Sequence, residues 1–195
     1  MKQLFKHLRL ICLLGVLTAM APVTRAQLVH WGLSAGTHLP FHTEIENADF
    51  HSLEKNNFNF GLQLKVGHRL HGQTGILYFV NNHNMTETKL DSTTDLQANY
   101  LGIPLQVGLN LINGEEFKLR ITGGIEYRML VWVSPNDLEI KKSDLTTNNA
   151  DLFGGAGVSL GKFTFDVLCK HPFTPVLKDA EKSKISCWLN MGFFF

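Results

Sequence analysis

The chain has almost no net charge: 18 Lys and Arg stand against 17 Asp and Glu, a formal +1 with His neutral. A nucleic-acid binder would carry a basic stripe, so that class is set aside. Its 3 cysteines among 195 residues are too few for a disulfide scaffold. Beyond residue 26 it lacks any apolar run near the roughly 20 residues a membrane helix needs. It is not poor in hydrophobic residues, at 44%, so disorder is excluded too. The length allows one domain, or at most two small ones.

The first 26 residues read as an address. Met1 to Arg9 carry Lys2, Lys6 and Arg9 with no acidic residue, and Leu10 to Met20 are apolar apart from Gly15 and Thr18. Thr24-Arg25-Ala26 precede Gln27. A basic start, a short apolar run and a small residue before the cut make a secretory signal peptide. The expected division is a signal peptide over 1–26 and one domain over 27–195.

The remainder of the chain is written in period two, the mark of strands with two unlike faces. Phe58, Phe60, Leu62, Leu64 and Val66 alternate with Asn59, Gly61, Gln63, Lys65 and Gly67. Leu101 to Asn110 repeat the pattern, and Phe117 to Val131 extend it over the longest run. Weaker versions begin at His30, Gly75, Asp151, Lys162 and Ile185, which makes eight strands. Connections are short near His68–Gly72, Leu111–Glu115 and Gly161-Lys162. They are long and polar over His38–Asn56, Asn81–Ala98, Ser134–Asn149 and Pro172–Ser183. This predicts an all-β fold, an eight-stranded antiparallel up-and-down transmembrane β-barrel with its long loops at one end.

A soluble periplasmic ligand-binding barrel would also alternate, with its apolar face inward. Three features favour the reverse sense. Several runs approach the roughly 9–11 residues that cross a bilayer at a tilt. The polar face is dense in glycine, which suits the narrow interior of a small barrel. The chain ends in a strand carrying Phe193 and Phe195, similar to the signal read by bacterial outer-membrane insertion machinery. Trp31, Phe117, Phe163, Phe193 and Phe195 fall on the apolar face near the short turns, where an interface girdle would sit. At the other end Tyr78 fits a girdle, while Tyr100 and Trp132 fall on the polar parity.

The segment Asn99-Tyr100-Leu101-Gly102-Ile103-Pro104-Leu105-Gln106-Val107-Gly108 resembles the signature strand of small outer-membrane β-barrels common in Bacteroidetes. The paired Gly123-Gly124 and the apolar strand ending in Phe are similar as well. The resemblance covers 27–195 and includes relatives of the PorT component of type IX secretion. It implies outer-membrane localisation with a structural, interaction or accessory-transport role, or a PorT-like place in secretion. Lipid, the insertion machinery and envelope proteins reached through the long loops are the expected partners.

Inward parity gives the lumen Lys65, Arg69, Lys118, Arg120, Glu126, Arg128, Asp151, Asp166, Lys170 and Lys184. Charges in a low-dielectric interior must pair or stay hydrated. Glu126 is expected to pair with Arg120, Arg128 or Lys65, and Asp166 is the second anionic hub. Eight strands leave no wide pore, and any leak would prefer anions. Cys169 and Cys187 share outward parity on the last two strands and are a candidate disulfide. The histidines match no zinc spacing, and His38, His42, His51, His68 and His71 read as solvated loop or turn residues. His42, Asp49 and Ser52 lack any hydrolase motif. Gly154 to Lys162 misses the phosphate-loop spacing and reads as strand with a tight turn. No enzymatic activity, cofactor or metal is expected.

Overall fold

The computed structural model describes residues 29–39, 44–46, 50–54, 57–87, 92–135, 145–174 and 185–195. The expected signal peptide and Lys184 lie outside them, as do His42 and Asp49. None of the described residues is helical. Among the described residues ten strands run in order: β1 Val29–Leu39, β2 Glu44–Glu46, β3 Phe50–Glu54, β4 Phe58–Gly67 and β5 Leu70–Glu87. They continue as β6 Ser92–Asn113, β7 Phe117–Val133, β8 Asn148–Leu160, β9 Phe163–Pro172 and β10 Ser186–Phe194.

Eight of these close on themselves as an antiparallel up-and-down barrel: β1 pairs β4 and β10, and the ladder β5–β6 completes the ring. Closure matters because it leaves no open sheet edge, and in an apolar solvent every backbone N–H and C=O must be paired within the protein. The three tight connections fall at one end, with Gly67 and Gly161 in the left-handed region at φ 115° and 56°. Both are places where a side chain would be strained.

The alternation places the apolar set outside. Leu33, Leu62, Ile76, Leu105, Ile125 and Leu152 are all about half exposed, between 48% and 56%. Neighbours along the strands, such as Ser34 beside Leu33, Glu126 beside Ile125 and Asp151 beside Leu152, are buried inside. An apolar belt around a whole barrel is far larger than the few hundred Å² a soluble monomer leaves open. A water-soluble ligand-binding barrel would face the other way.

Two expectations of shape are corrected. The connection expected as a loop over Asn81–Ala98 is mostly sheet, because β5 and β6 stay paired from Asn81↔Ala98 up to Glu87↔Ser92. The β-branched residues Thr86, Thr93 and Thr94 favour that extension. β6, at 22 residues, is therefore about twice the length needed to cross a bilayer. The first long connection also contains sheet, since β3 pairs the top of β5 and β2 pairs β3.

Parity differs from expectation at the end of β7. A bulge between Asn99 and Tyr100 sets Asn99 against Trp132 but Tyr100 against Leu130. The extra residue turns the end of β7 over, as bulges do. Trp132 is consequently 46% exposed rather than lumenal, whereas Tyr100 keeps its inward place at 1%. The β5–β6 ladder also skips from Thr74↔Leu105 to Leu77↔Gly102, passing over Pro104, which has no N–H to donate. The Thr74 hydroxyl donates instead to the Pro104 carbonyl at 2.8 Å.

Candidate functional site: the barrel lumen

The inward faces stack into layers along the barrel. Nearest the long loops is an apolar plug of Leu77, Phe79, Leu96, Tyr100, Leu130 and Trp188, joined by Ala98 and Leu145. Phe79 and Trp188 meet edge to face at 5.7 Å. Sequence reasoning read the polar charges here and missed the plug. Its signal was present in the inward parity of Leu77, Phe79 and Tyr100, and in Trp188 standing between the outward Cys187 and Leu189.

Beneath the plug lies a four-membered charge network. The Lys170 ammonium donates to both carboxylate oxygens of Glu126, at 2.8 and 2.9 Å. Arg128 lies 3.6 Å from Glu126 and donates to Asp151 at 2.5 Å. Glu126, Asp151 and Lys170 are 2%, 1% and 4% exposed, so the network is withdrawn from bulk water. Buried charges of this kind are sustained only when paired and hydrogen-bonded. Two cations meet two carboxylates, and the set is neutral. The cations also use the plug: Lys170 stands 4.8 Å over Phe79 and 4.9 Å over Trp188, and Arg128 lies 5.8 Å over Tyr100. Such cation–π contacts strengthen when desolvated. The expected partners of Glu126 were Arg120, Arg128 or Lys65. Arg128 is there at the longer distance, and Lys170 makes the closer contact.

A polar cavity of about 30 Å³ lies below the network, lined among others by Ser34, Asn59, Gln63, Gln106, Asp166 and Lys170. That volume holds roughly one or two waters. Amide pairs brace its wall, with Asn59 donating to Asn190 at 3.1 Å and Gln73 to Gln63 at 2.7 Å. Arg120 then bridges Asp166 at 2.5 Å and the Ser159 hydroxyl. Glycines make room for these side chains. A Cβ at Gly157 would strike the Asp166 carboxylate, and one at Gly36 the Asn190 amide.

The six expected lumen charges, Lys65, Arg120, Glu126, Arg128, Asp166 and Lys170, all stand on inward strand positions, and five of them enter ion pairs. Arg69 does not join them: it is exposed in the β4–β5 turn, where parity no longer applies. His38 and His71, read as solvated, are instead buried inside at 4% and 2%, while His68 is exposed in its turn. Among the described residues no group of three or more His, Cys, Asp or Glu could hold a metal. Gly154 to Leu160 is strand β8, not a phosphate loop.

On the outside, the short-turn end gathers the girdle candidates. Trp31 stacks on Phe195 at 4.1 Å, Phe193 meets Phe195 at 5.0 Å, and Phe163 meets Phe193 at 5.0 Å. Phe117 stands nearby at the foot of β7, opposite Leu160. Cys169 and Cys187 are directly opposite in the β9–β10 register, and both thiols are free.

These features define a class: a closed eight-stranded barrel with an apolar exterior and a filled, charged lumen. No protein-family model and no curated protein matches the sequence. Solved structures do share the architecture. The outer membrane protein OprG from Pseudomonas aeruginosa aligns with a TM-score of 0.55 at 12% identity, over 86% of this chain and 95% of its own. Ail, the attachment invasion locus protein of Yersinia pestis, in complex with the heparin analogue sucrose octasulfate, gives 0.44 at 16% identity, over 86% and 99%. LpxR from Salmonella typhimurium gives 0.40 at 9%, over 85% and 100%. The OprG likeness is one of fold.

Proposed function

We propose that the chain is an integral outer-membrane β-barrel, exported by a signal peptide removed before Gln27, with a structural, interaction or accessory-transport role and no enzymatic activity. The observation that carries this is the apolar belt, whose side chains stand half exposed all round the barrel while the polar set is buried within. Lipid is the solvent such a surface requires. The fold shared with OprG agrees with it. The lumen is filled by side chains, so the accessible working surface is the long-loop end. There the extended β5–β6 hairpin, flanked by β2 and β3, projects past the barrel strands and offers a platform for envelope partners. Trp31, Phe117, Phe163, Phe193 and Phe195 serve as interface anchors, and the last two as the insertion signal.

The test is fractionation and gel mobility. The mature chain should begin at Gln27, sediment with outer membranes and migrate faster unheated than boiled. A chain that stays soluble after processing would overturn the reading. A second reading, a PorT-like accessory of type IX secretion, rests on the strand Tyr100-Leu101-Gly102-Ile103-Pro104-Leu105. It requires that deletion abolish export of cargo proteins, and normal export would dismiss it.

A further inference from the structure

The polar cavity of about 30 Å³ is bordered by both groups of ion pairs, by Glu126 and Lys170 from one and by Asp166 from the other. Its wall also carries Ser34 of β1 and Asn59 of β4, which are 9% and 3% exposed. Strand register explains why the space exists. One inward row reads Asn59, Gly36, Asn190 and Asp166 on β4, β1, β10 and β9. The next row reads Gly61, Ser34, Gly192 and Thr164 on the same strands. Two glycines, a serine and a threonine cannot fill the width that amides and a carboxylate fill in the row beside them.

Three residues of that wall each hold a buried oxygen that has no hydrogen-bond partner among the described residues: Ser34 Oγ, Asn59 Oδ1 and Asp166 Oδ1. Their other polar atoms are engaged, since Asn59 Nδ2 donates to Asn190 at 3.1 Å and Asp166 Oδ2 accepts from Arg120 at 2.5 Å. Two of the three oxygens can only accept, and the Ser34 hydroxyl can donate. Leaving such groups unpaired in an interior is costly. Water complements the set, with two hydrogens to give and lone pairs to receive. The cavity exceeds the roughly 10–15 Å³ that one water occupies. A cation would meet the Lys170 ammonium in the same wall and be repelled by it.

We propose that this cavity is an internal water site, in which one or two ordered waters donate to Asn59 Oδ1 and Asp166 Oδ1 and accept from the Ser34 hydroxyl. Waters bridging protein groups in this way are nearly as good as direct hydrogen bonds. They lie between the two groups of ion pairs, so the charged middle of the lumen is hydrated from within while the apolar plug covers it from the long-loop side. The site goes beyond the membrane role proposed above and is independent of which partner the loops engage.

The test uses the full mature barrel, isotope-labelled and refolded in deuterated detergent, with water itself as the probe. Magnetisation from water should reach the Asn59 side-chain amide protons with laboratory-frame and rotating-frame Overhauser effects of opposite sign, as for a water held longer than the barrel tumbles. Effects of equal sign, or none, overturn the proposal, because surface water and chemical exchange give equal signs. Ser34→Ala removes the hydroxyl that could relay the transfer but keeps both acceptors, so the effect should persist, and its loss would assign it to the hydroxyl. Ser34→Val fills the cavity, and folded S34V that keeps the effect also overturns the site. Sodium replacing choline at constant ionic strength should leave the Asn59 resonances in place, and a saturable shift would assign the space to a cation instead. Should a variant lose heat-modifiable mobility and prove unfolded, the wild-type signs still decide.

Discussion

The indole of Trp31 stacks on the ring of Phe195 at 4.1 Å and 16°, joining the first strand to the last residue. The contact is fixed by backbone bonds around it: Phe195 N–H donates to Trp31 O at 2.8 Å, and Phe194 N–H to Lys162 O at 2.9 Å. His30 Nδ1 lies 3.0 Å from the Phe195 oxygen on the neighbouring position. The seam that closes the barrel is thus clasped at its foot by an aromatic pair, a main-chain bond and an imidazole.

The clasp predicts a measurable coupling. An aromatic pair of this geometry is worth about 0.5–1.5 kcal/mol beyond area burial. Trp31→Ala and Phe195→Ala should each lower the unfolding free energy in urea, measured in lipid vesicles, by more than about 1 kcal/mol. The double variant should lose less than the sum, by about the pair energy. Strict additivity would show that stacking contributes nothing to closure.

The buried quartet makes a sharper demand. Glu126→Leu leaves the Lys170 ammonium without its bidentate acceptor at 2.8 Å, in a place where that lysine is 4% exposed. Removing one partner of a buried pair costs about 3–5 kcal/mol, mostly from the charge left behind. Joining it with Lys170→Met should recover much of that loss, because the plug residues Phe79 and Trp188 are ready to pack an apolar chain. Equilibrium unfolding of the two single variants and the double variant measures the difference. A double variant as unstable as the sum of the singles would contradict this account.

How much of this was readable from residues alone depends on what alternation encodes. Parity carried the strand faces wherever a run was unbroken, as from Phe58 to Val66 and from Leu101 to Asn110. It failed at Trp132, because a bulge adds one residue to β7 with no mark in the hydrophobic pattern. It failed at Arg69, because a turn has no faces. The partners within the lumen were harder still. Lys170 reaches Glu126 across β8, where Phe153 stands opposite Lys170 and Asp151 opposite Glu126, and that depends on the stagger between β7, β8 and β9 rather than on any single strand. Sequence supplied the charges and their side; inter-strand stagger chose who meets whom.

The cysteine pair separates register from chemistry. Cys169 stands directly opposite Cys187, and both thiols are free. Bridge formation requires a Cα separation of about 4.4–6.8 Å and a defined dihedral, and directly opposed strand positions approach the required separation. Because both thiols are free in the structure, intact mass of the isolated protein under non-reducing conditions should show both reduced. Mild oxidation should then remove two hydrogens from the monomer without dimer formation, and Cys169→Ser should abolish that change. Oxidised dimers in place of the intramolecular product would mean the two side chains do not face one another.

The three tryptophans allow the sidedness of the whole barrel to be read by light. Trp31 is 54% exposed beside Phe195, Trp132 is 46% exposed beyond the bulge, and Trp188 is 3% exposed inside the plug. In single-tryptophan variants refolded into vesicles, lipids brominated along their chains should quench Trp31 strongly, because the girdle lies at the edge of the hydrocarbon. Trp188 should be quenched several-fold less, since Phe79, Lys170 and the barrel wall stand between it and lipid. Trp132 tests the bulge itself: outward, it should respond to quenchers, and with the unbroken parity of β7 it would behave like Trp188. Equal quenching of Trp31 and Trp188 would reverse the assignment of faces on which the membrane reading depends.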